Sequence, residues 1–158
     1  MSVEKVKNYF KQFGEEKRIL EFDVSSATVE LAARALNCKE GEIAKTLSFK
    51  IDDRIILIVM AGDYKIDNSK YKLVFNKKAH MLSFDEVEPL IGHAVGGVCP
   101  FAVNKGVEVY LDNSLKEYVY VYPACGSSNS AIKLSIKELE KYSNSLGFID
   151  VSKKSEVN

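Results

Sequence analysis

Two histidines and three cysteines are all that this chain of 158 residues offers a soft metal ion. None of them stands at a recognised zinc spacing, so no metal is expected. Cys38, Cys99 and Cys125 form no Cys-x-x-Cys pair and leave one thiol over. A disulfide framework is therefore not expected, and a reducing, cytoplasmic setting is. Neither sign of charge is in excess: 22 basic residues balance 22 acidic ones, which argues against a strongly basic nucleic-acid binder. No apolar run approaches membrane-spanning length, and the amino terminus carries no signal-peptide pattern, so no membrane partner is expected. Linkers, repeats and low-complexity stretches are missing as well. The chain reads as one domain over residues 1–150 with a polar tail at 151–158, large enough to bury a sizeable core.

What is present alternates between helix and strand periods. Val3, Val6, Phe10 and Phe13 form one helical stripe. A strand is expected around Arg18 to Val24, then a helix carrying Val29, Ala32, Ala33 and Leu36 that enters through Ser25-Ser26 and stops near Asn37. Ile43 to Ile51, the acidic Asp52-Asp53 and the apolar Ile55 to Met60 read as a β-hairpin whose second strand is buried on both faces. Asp67 to Phe75 reads as a short helix. Ser83-Phe84-Asp85-Glu86 is a capping box opening another, which Pro89 is expected to truncate. Strands follow at Val107 to Leu111, Tyr118 to Tyr122 and Ala131 to Leu134, and Ser135 to Glu138 caps a last helix. The pattern supports a mixed α/β (α+β) domain.

In the hairpin, side chains two apart share a face, so Leu47, Phe49 and Ile51 point inward while Ser48 and Lys50 point outward. One more step back puts Lys45 on the inward face. An ammonium there must find a partner, shift its pKa or serve a ligand. A strand that begins at Thr46 would instead leave Lys45 a solvated surface lysine, and parity alone does not choose. The segment Gly92-His93-Ala94-Val95-Gly96-Gly97-Val98-Cys99-Pro100-Phe101 is the other dense feature. Gly96-Gly97 lets the chain turn sharply and lets a ligand approach main-chain N–H groups. Pro100 fixes its own φ and keeps Cys99 extended, which stiffens the turn. Such a loop suits a carbonyl oxygen or a phosphate, though a plain turn between strands has the same composition.

Four pieces in order resemble the YbaK/EbsC family of aminoacyl-tRNA deacylases, whose domain is also inserted in bacterial prolyl-tRNA synthetases. They are Ile43 to Leu47, the loop Gly92 to Phe101, the strand Val107 to Asp112, and Pro123-Ala124-Cys125-Gly126-Ser127-Ser128-Asn129-Ser130-Ala131-Ile132. The resemblance covers roughly residues 20–145. It implies a curved or barrel-like mixed sheet flanked by helices, and hydrolysis of the ester that joins a wrongly attached small amino acid to a tRNA. It also implies that Lys45 is the residue on which activity depends, that Gly96, Gly97, Val98, Cys99 and Pro100 line the pocket, and that no cofactor is used. His93, Gly126 and Ser127 are further pocket candidates. The tRNA acceptor end is the implied partner, with a synthetase as a second one. Relatives often carry serine where this chain has Cys99, which bears on amino-acid preference.

The chemistry asks for little more. An aminoacyl ester is already activated, so positioned water, one cation and preorganised main-chain donors suffice, each oxyanion donor being worth on the order of 3 kcal/mol. Editing is needed because a synthetase pocket separates side chains differing by one methylene by only about 1–3 kcal/mol. Two other readings stand beside this one: a non-catalytic module that binds tRNA ends or a synthetase, and a thiol hydrolase using Cys99 with His93. Gly126 to Asn129 could serve as a hairpin connection, and Asp112 as a cap. The five lysines between Lys65 and His80, opposed by Asp67 alone, could meet phosphates or form a solvated helix face.

Overall fold

A computed structural model describes residues 2–156 of the chain. Its elements, in order, are α1 (Ser2–Lys11), β1 (Leu20–Glu21), α2 (Val29–Leu36), β2 (Ile43–Ile51), β3 (Arg54–Ala61), β4 (Tyr64–Ile66), α3 (Asn68–Phe75) and α4 (Phe84–Ile91). There follow β5 (Glu108–Asp112), β6 (Tyr120–Pro123), β7 (Ser130–Ala131), β8 (Leu134–Ser135), α5 (Ile136–Tyr142), β9 (Phe148–Ile149) and β10 (Ser152–Lys154). Six strands, in the order β8-β6-β2-β3-β5-β9, form a mixed sheet that curls into a half-barrel, and β1-β7 and β4-β10 are two small antiparallel ribbons. This is the α+β architecture the sequence led us to expect.

The apolar run of β3 explains the centre of the sheet. Ile56 to Ala61 are fully buried. Leu57 and Val59 face a large cluster with α1, α4 and α5, while Ile56, Ile58 and Met60 face a second cluster with Tyr71 of α3 and Val151. A strand with apolar residues on both faces is what a sheet covered on both sides requires. β2 pairs with β3 in register from Ala44↔Ala61 to Ile51↔Arg54, so Phe49 and Ile51 join the second cluster as expected. Ser48 and Lys50, expected to face solvent, do not. Ser48 is buried, and Lys50 reaches α4 to pair with Glu86 at 2.7 Å, because that face of β2 is covered as well.

Helix ends follow their side-chain chemistry. Thr28, not Ser25 or Ser26, caps α2 by accepting from the Leu31 N–H, and Asn37 ends it in the left-handed region. Ser83 and Glu86 close a capping box on α4. Pro89 does not truncate that helix; it forgoes one hydrogen bond, and the helix runs on to a left-handed stop at Gly92, φ +98°. The strand expected at Arg18 to Val24 shrinks to Leu20–Glu21, because Glu16–Arg18 forms a 3-10 turn. The strand expected at Ala131 to Leu134 divides between β7 and β8, which belong to different sheets.

The polar tail expected at 151–158 is largely part of the fold; its last two residues lie outside the described ones. Val151 is fully buried, and Ser152–Lys154 pair with Tyr64–Ile66. Asp112 holds them there. Its buried carboxylate accepts from the Ser114 N–H at 2.9 Å, the Val151 N–H at 3.0 Å and the Ser152 hydroxyl at 2.5 Å.

Arg18 spans the chain ends in a different way, donating to both carboxylate oxygens of Glu138 at 2.7 and 3.1 Å. That pairing, with the Ser135 N–H, holds the Glu138 carboxyl down from 4.5 to about 2. A carboxylate with a depressed pKa stabilises the fold above its unfolded value and loses that contribution as the pH falls through the folded one. Thermal melts between pH 5 and 2 (roughly the window where this linkage acts) should therefore show a shallower acid limb in Glu138→Gln than in the parent. Identical limbs would mean that this pair carries none of the acid sensitivity.

Candidate functional site

β2 is zipped unequally. One edge bonds to β3 along its whole length, but the other meets β6 only at Ile43 and Ala44. It is next engaged at Ser48 and Lys50, where the Leu82 N–H donates to the Ser48 carbonyl at 3.2 Å and the Lys50 N–H to the His80 carbonyl at 2.9 Å. Even-numbered residues of β2 therefore direct their backbone groups to this edge, and between Ala44 and Ser48 Thr46 is left without a neighbouring strand. A cavity of about 520 Å³ opens there. Its walls are the β2 edge, α2, the Met81–Val87 stretch and the glycine-rich loop at Val95, Gly96 and Val98. The Thr46 hydroxyl is buried with no partner among the described residues, a polar group facing an otherwise mostly apolar space.

Lys45 is in this wall, as are Gly96 and Val98. Parity puts the Lys45 side chain on the face of Leu47 and Phe49, and its ammonium donates to the carbonyls of Gly62, at 3.4 Å in the β3–β4 turn, and of Tyr64 at the start of β4. Burial lowers the pKa of Lys45, and the nearby Asp63 opposes that shift. The two carbonyl oxygens and the nearby Asp63 favour the charged form, so this lysine suits a fixed positive charge better than a base.

The other loop residues go elsewhere. Gly97 donates its N–H to the Ala94 carbonyl at 3.0 Å and lies against the next candidate segment. A Cβ at Gly97 would come within 2.7 Å of the Gly126 carbonyl group and the Ser127 nitrogen, so glycine is required by close approach of two backbones. Gly97, Gly126 and Ser127 line a second concavity, about 590 Å³, with Val3, Lys5 and Glu88. The Ser127 hydroxyl bonds to Asn129 at 2.9 Å and to Ser130 at 2.7 Å. The Asn129 amide ties this turn to Phe22. The structure thus places the glycine doublet across two cavities.

His93, Cys99 and Pro100 line neither cavity, although the sequence makes all three pocket candidates. All three are buried, and Cys99 packs in the large cluster. Burial pushes the Cys99 thiol up to about 12 and lowers the pKa of His93. His93 Nε2 sits 2.7 Å from the Phe101 carbonyl, which can only accept, so Nε2 carries the proton and cannot take one from Cys99 3.5 Å away. Two neutral, enclosed groups do not make a nucleophilic pair. Tyr122 does reach the cavity wall, whereas Tyr120 is exposed. The sequence does not mark Thr46, α2 or Phe84 as part of a site; Phe84 reads only as a member of a capping box.

Comparison with known proteins bears on the family and the fold. A family model described as the aminoacyl-tRNA editing domain matches residues 23–142. The uncharacterised protein YwhH of Bacillus subtilis (strain 168) is 51% identical over 154 residues, covering 97% of this chain and 98% of that protein. A proline–tRNA ligase of Bacillus cytotoxicus is 27% identical over 101 residues, 63% of this chain but 18% of the ligase. A crystal structure described as a candidate trans-editing enzyme for prolyl tRNA synthetase superposes with a TM-score of 0.87 at 26% identity, over 96% of this chain and 97% of that one. The hypothetical protein APE2540 gives 0.83 at 29% identity, over 94% and 99%.

Two outcomes follow from the packing. Gly97→Ala should lower Tm by several degrees, the overpacking cost being about 1–3 kcal/mol, and a calorimetric trace unchanged from the parent would show that the 126–127 backbone yields freely. Iodoacetamide near neutral pH should leave Cys99 and Cys125 unmodified in the native protein, as read by peptide mass. Rapid labelling of Cys99 would contradict its enclosure.

Proposed function

The chain belongs to the aminoacyl-tRNA editing domain family, and from that premise we propose that it is a trans-editing deacylase. Its substrate would be a tRNA mischarged with a small amino acid, released by a synthetase and hydrolysed here in the cytoplasm. The observation that carries this reading is that Lys45, Gly96 and Val98 share the wall of one cavity. The likeness to a candidate trans-editing protein and to part of the proline–tRNA ligases favours the tRNA that the prolyl enzyme charges.

In this reading water adds to the ester carbonyl carbon, and the bond from that carbon to the ribose oxygen breaks. The proton lost by the water goes to the leaving ribose oxygen, giving a free amino acid and an uncharged tRNA. A neighbouring ribose hydroxyl can orient the water. The main-chain N–H groups of Gly96 and Val98 are the donors available to the developing oxyanion, since that of Gly97 is engaged by Ala94. Lys45 supplies a desolvated positive charge that acts on the ester or on the terminal phosphate. The mostly apolar wall, with Ala32, Ala44 and Ala124 among its residues, favours a compact acyl group over a large polar one.

The test is a panel of tRNAs carrying alanine, serine, threonine or cysteine. The parent protein should release at least one small amino acid, and Lys45→Ala should slow that release by about 100-fold or more in single turnover. Because the lysine also satisfies two carbonyls, a modest fall in Tm is expected with it. Release by Lys45→Ala at the parent rate would remove this lysine from the chemistry. Tight tRNA binding without release from any substrate would favour a binding module.

A further inference from the structure

The side chain that least resembles the rest of the cavity wall is Phe84. It is the first residue of α4, 77% exposed, and held at that end of the helix by the Ser83–Glu86 capping box. Val87, one turn on, is buried in the large cluster. Phe84 therefore continues the apolar stripe of α4 past the point where the core ends. Met81, 53% exposed, stands near it on the same rim. The exposed ring and the exposed Met81 side chain together give this cavity an apolar margin open to a ligand. At about 520 Å³ the space is of a size that takes a whole small-molecule ligand, and is more than a small acyl group needs.

Charge identifies what would cover the ring. The link from α3 to α4 is fastened to β2 by the Phe49↔Met81 bridge and the hydrogen bonds at His80 and Leu82. It leads to the rim with Lys77, Lys78 and His80 exposed. Among the described residues neither lysine has a carboxylate within 4 Å. Of the nearest acids, Glu86 is taken by Lys50, leaving Asp85 exposed. An exposed ring approached by an exposed basic segment is a combination that holds an unpaired nucleotide by stacking and by phosphate contact. We infer that Phe84 is the platform on which the unpaired 3′-terminal base of the RNA stacks, with Lys77 and Lys78 meeting the adjoining phosphates. This rests on the editing reading for the identity of the RNA, and it adds the residue that seats the base. Tyr122, the other aromatic of the wall, packs against Ala32, Ala33 and Ile43 and is less free to serve.

The chain has no tryptophan, so Phe84→Trp installs a single reporter at the rim. Its emission should change on titration with an uncharged single-stranded RNA ending in CCA, and should not change with the same RNA made abasic at its last nucleotide. Phe84→Ala should raise KM for mischarged tRNA by about 5- to 150-fold, the range that one stacked base commands. Leu73→Ala, at an exposed position on α3 outside the cavity, should not. Lys77→Ala should lower the slope of log affinity against log salt by about 0.7, the value for one phosphate of a single strand. An emission response to CCA RNA without hydrolysis of any ester would support the platform and defeat the editing reading. Hydrolysis with KM unchanged in Phe84→Ala would overturn the platform and leave editing intact. An unchanged salt slope would remove the basic segment from the site.

Discussion

The half-zipped edge of β2 is the constraint on which the rest of the molecule turns. A strand inside a sheet satisfies its backbone through two neighbours. Here β3 supplies one neighbour in full, while β6 leaves after Ala44 and the 80–82 link arrives only at Ser48. The gap is about one strand-residue pair wide, and the cavity is built around it. It persists because β3 is buried on both faces, which fixes the register of β2 beyond any slip. The core thus holds open a polar gap that no local preference of residues 44–48 would favour.

Around that gap the fold brings groups of different origin to one space. α2 supplies an apolar wall, the glycine loop supplies main chain, and the start of α4 supplies an uncovered ring. Each is held from behind: α2 by the Thr28 cap, the loop by the Gly97–Gly126 contact, and α4 by Ser83, Glu86 and Lys50. Rigid supports of this kind favour a preformed cavity over one created by a ligand.

Much of the fold was legible in the sequence because its signals are local. The hairpin of β2 and β3, the capping boxes at Ser83 and Ser135 and the left-handed stop at Asn37 rest on neighbouring residues. Errors arose where a distant partner decides. Ser48 and Lys50 read as solvent-facing until α4 covers them, and the 131–134 stretch read as one strand until its halves joined different sheets. The candidate site was legible in part. Lys45, Gly96 and Val98 share a wall, but the direction of the Lys45 ammonium depends on a turn seventeen residues later. Cys99 and His93 sit beside the doublet in sequence and point into the core instead. Extended geometry next to Pro100 says nothing about which face a side chain takes. Phe84 carried no signal of its own, since the first turn of any amphipathic helix contains such residues.

Asp112 gives the molecule an order of assembly. Its carboxylate lies inside the protein, and two of its three donors come from Val151 and Ser152. Until residues 151–152 are in place, that carboxylate has only the Ser114 N–H and must keep its water. The face of the sheet that Val151 seals can be dried only once this segment docks. Satisfying the acid and sealing the sheet are coupled through one side chain.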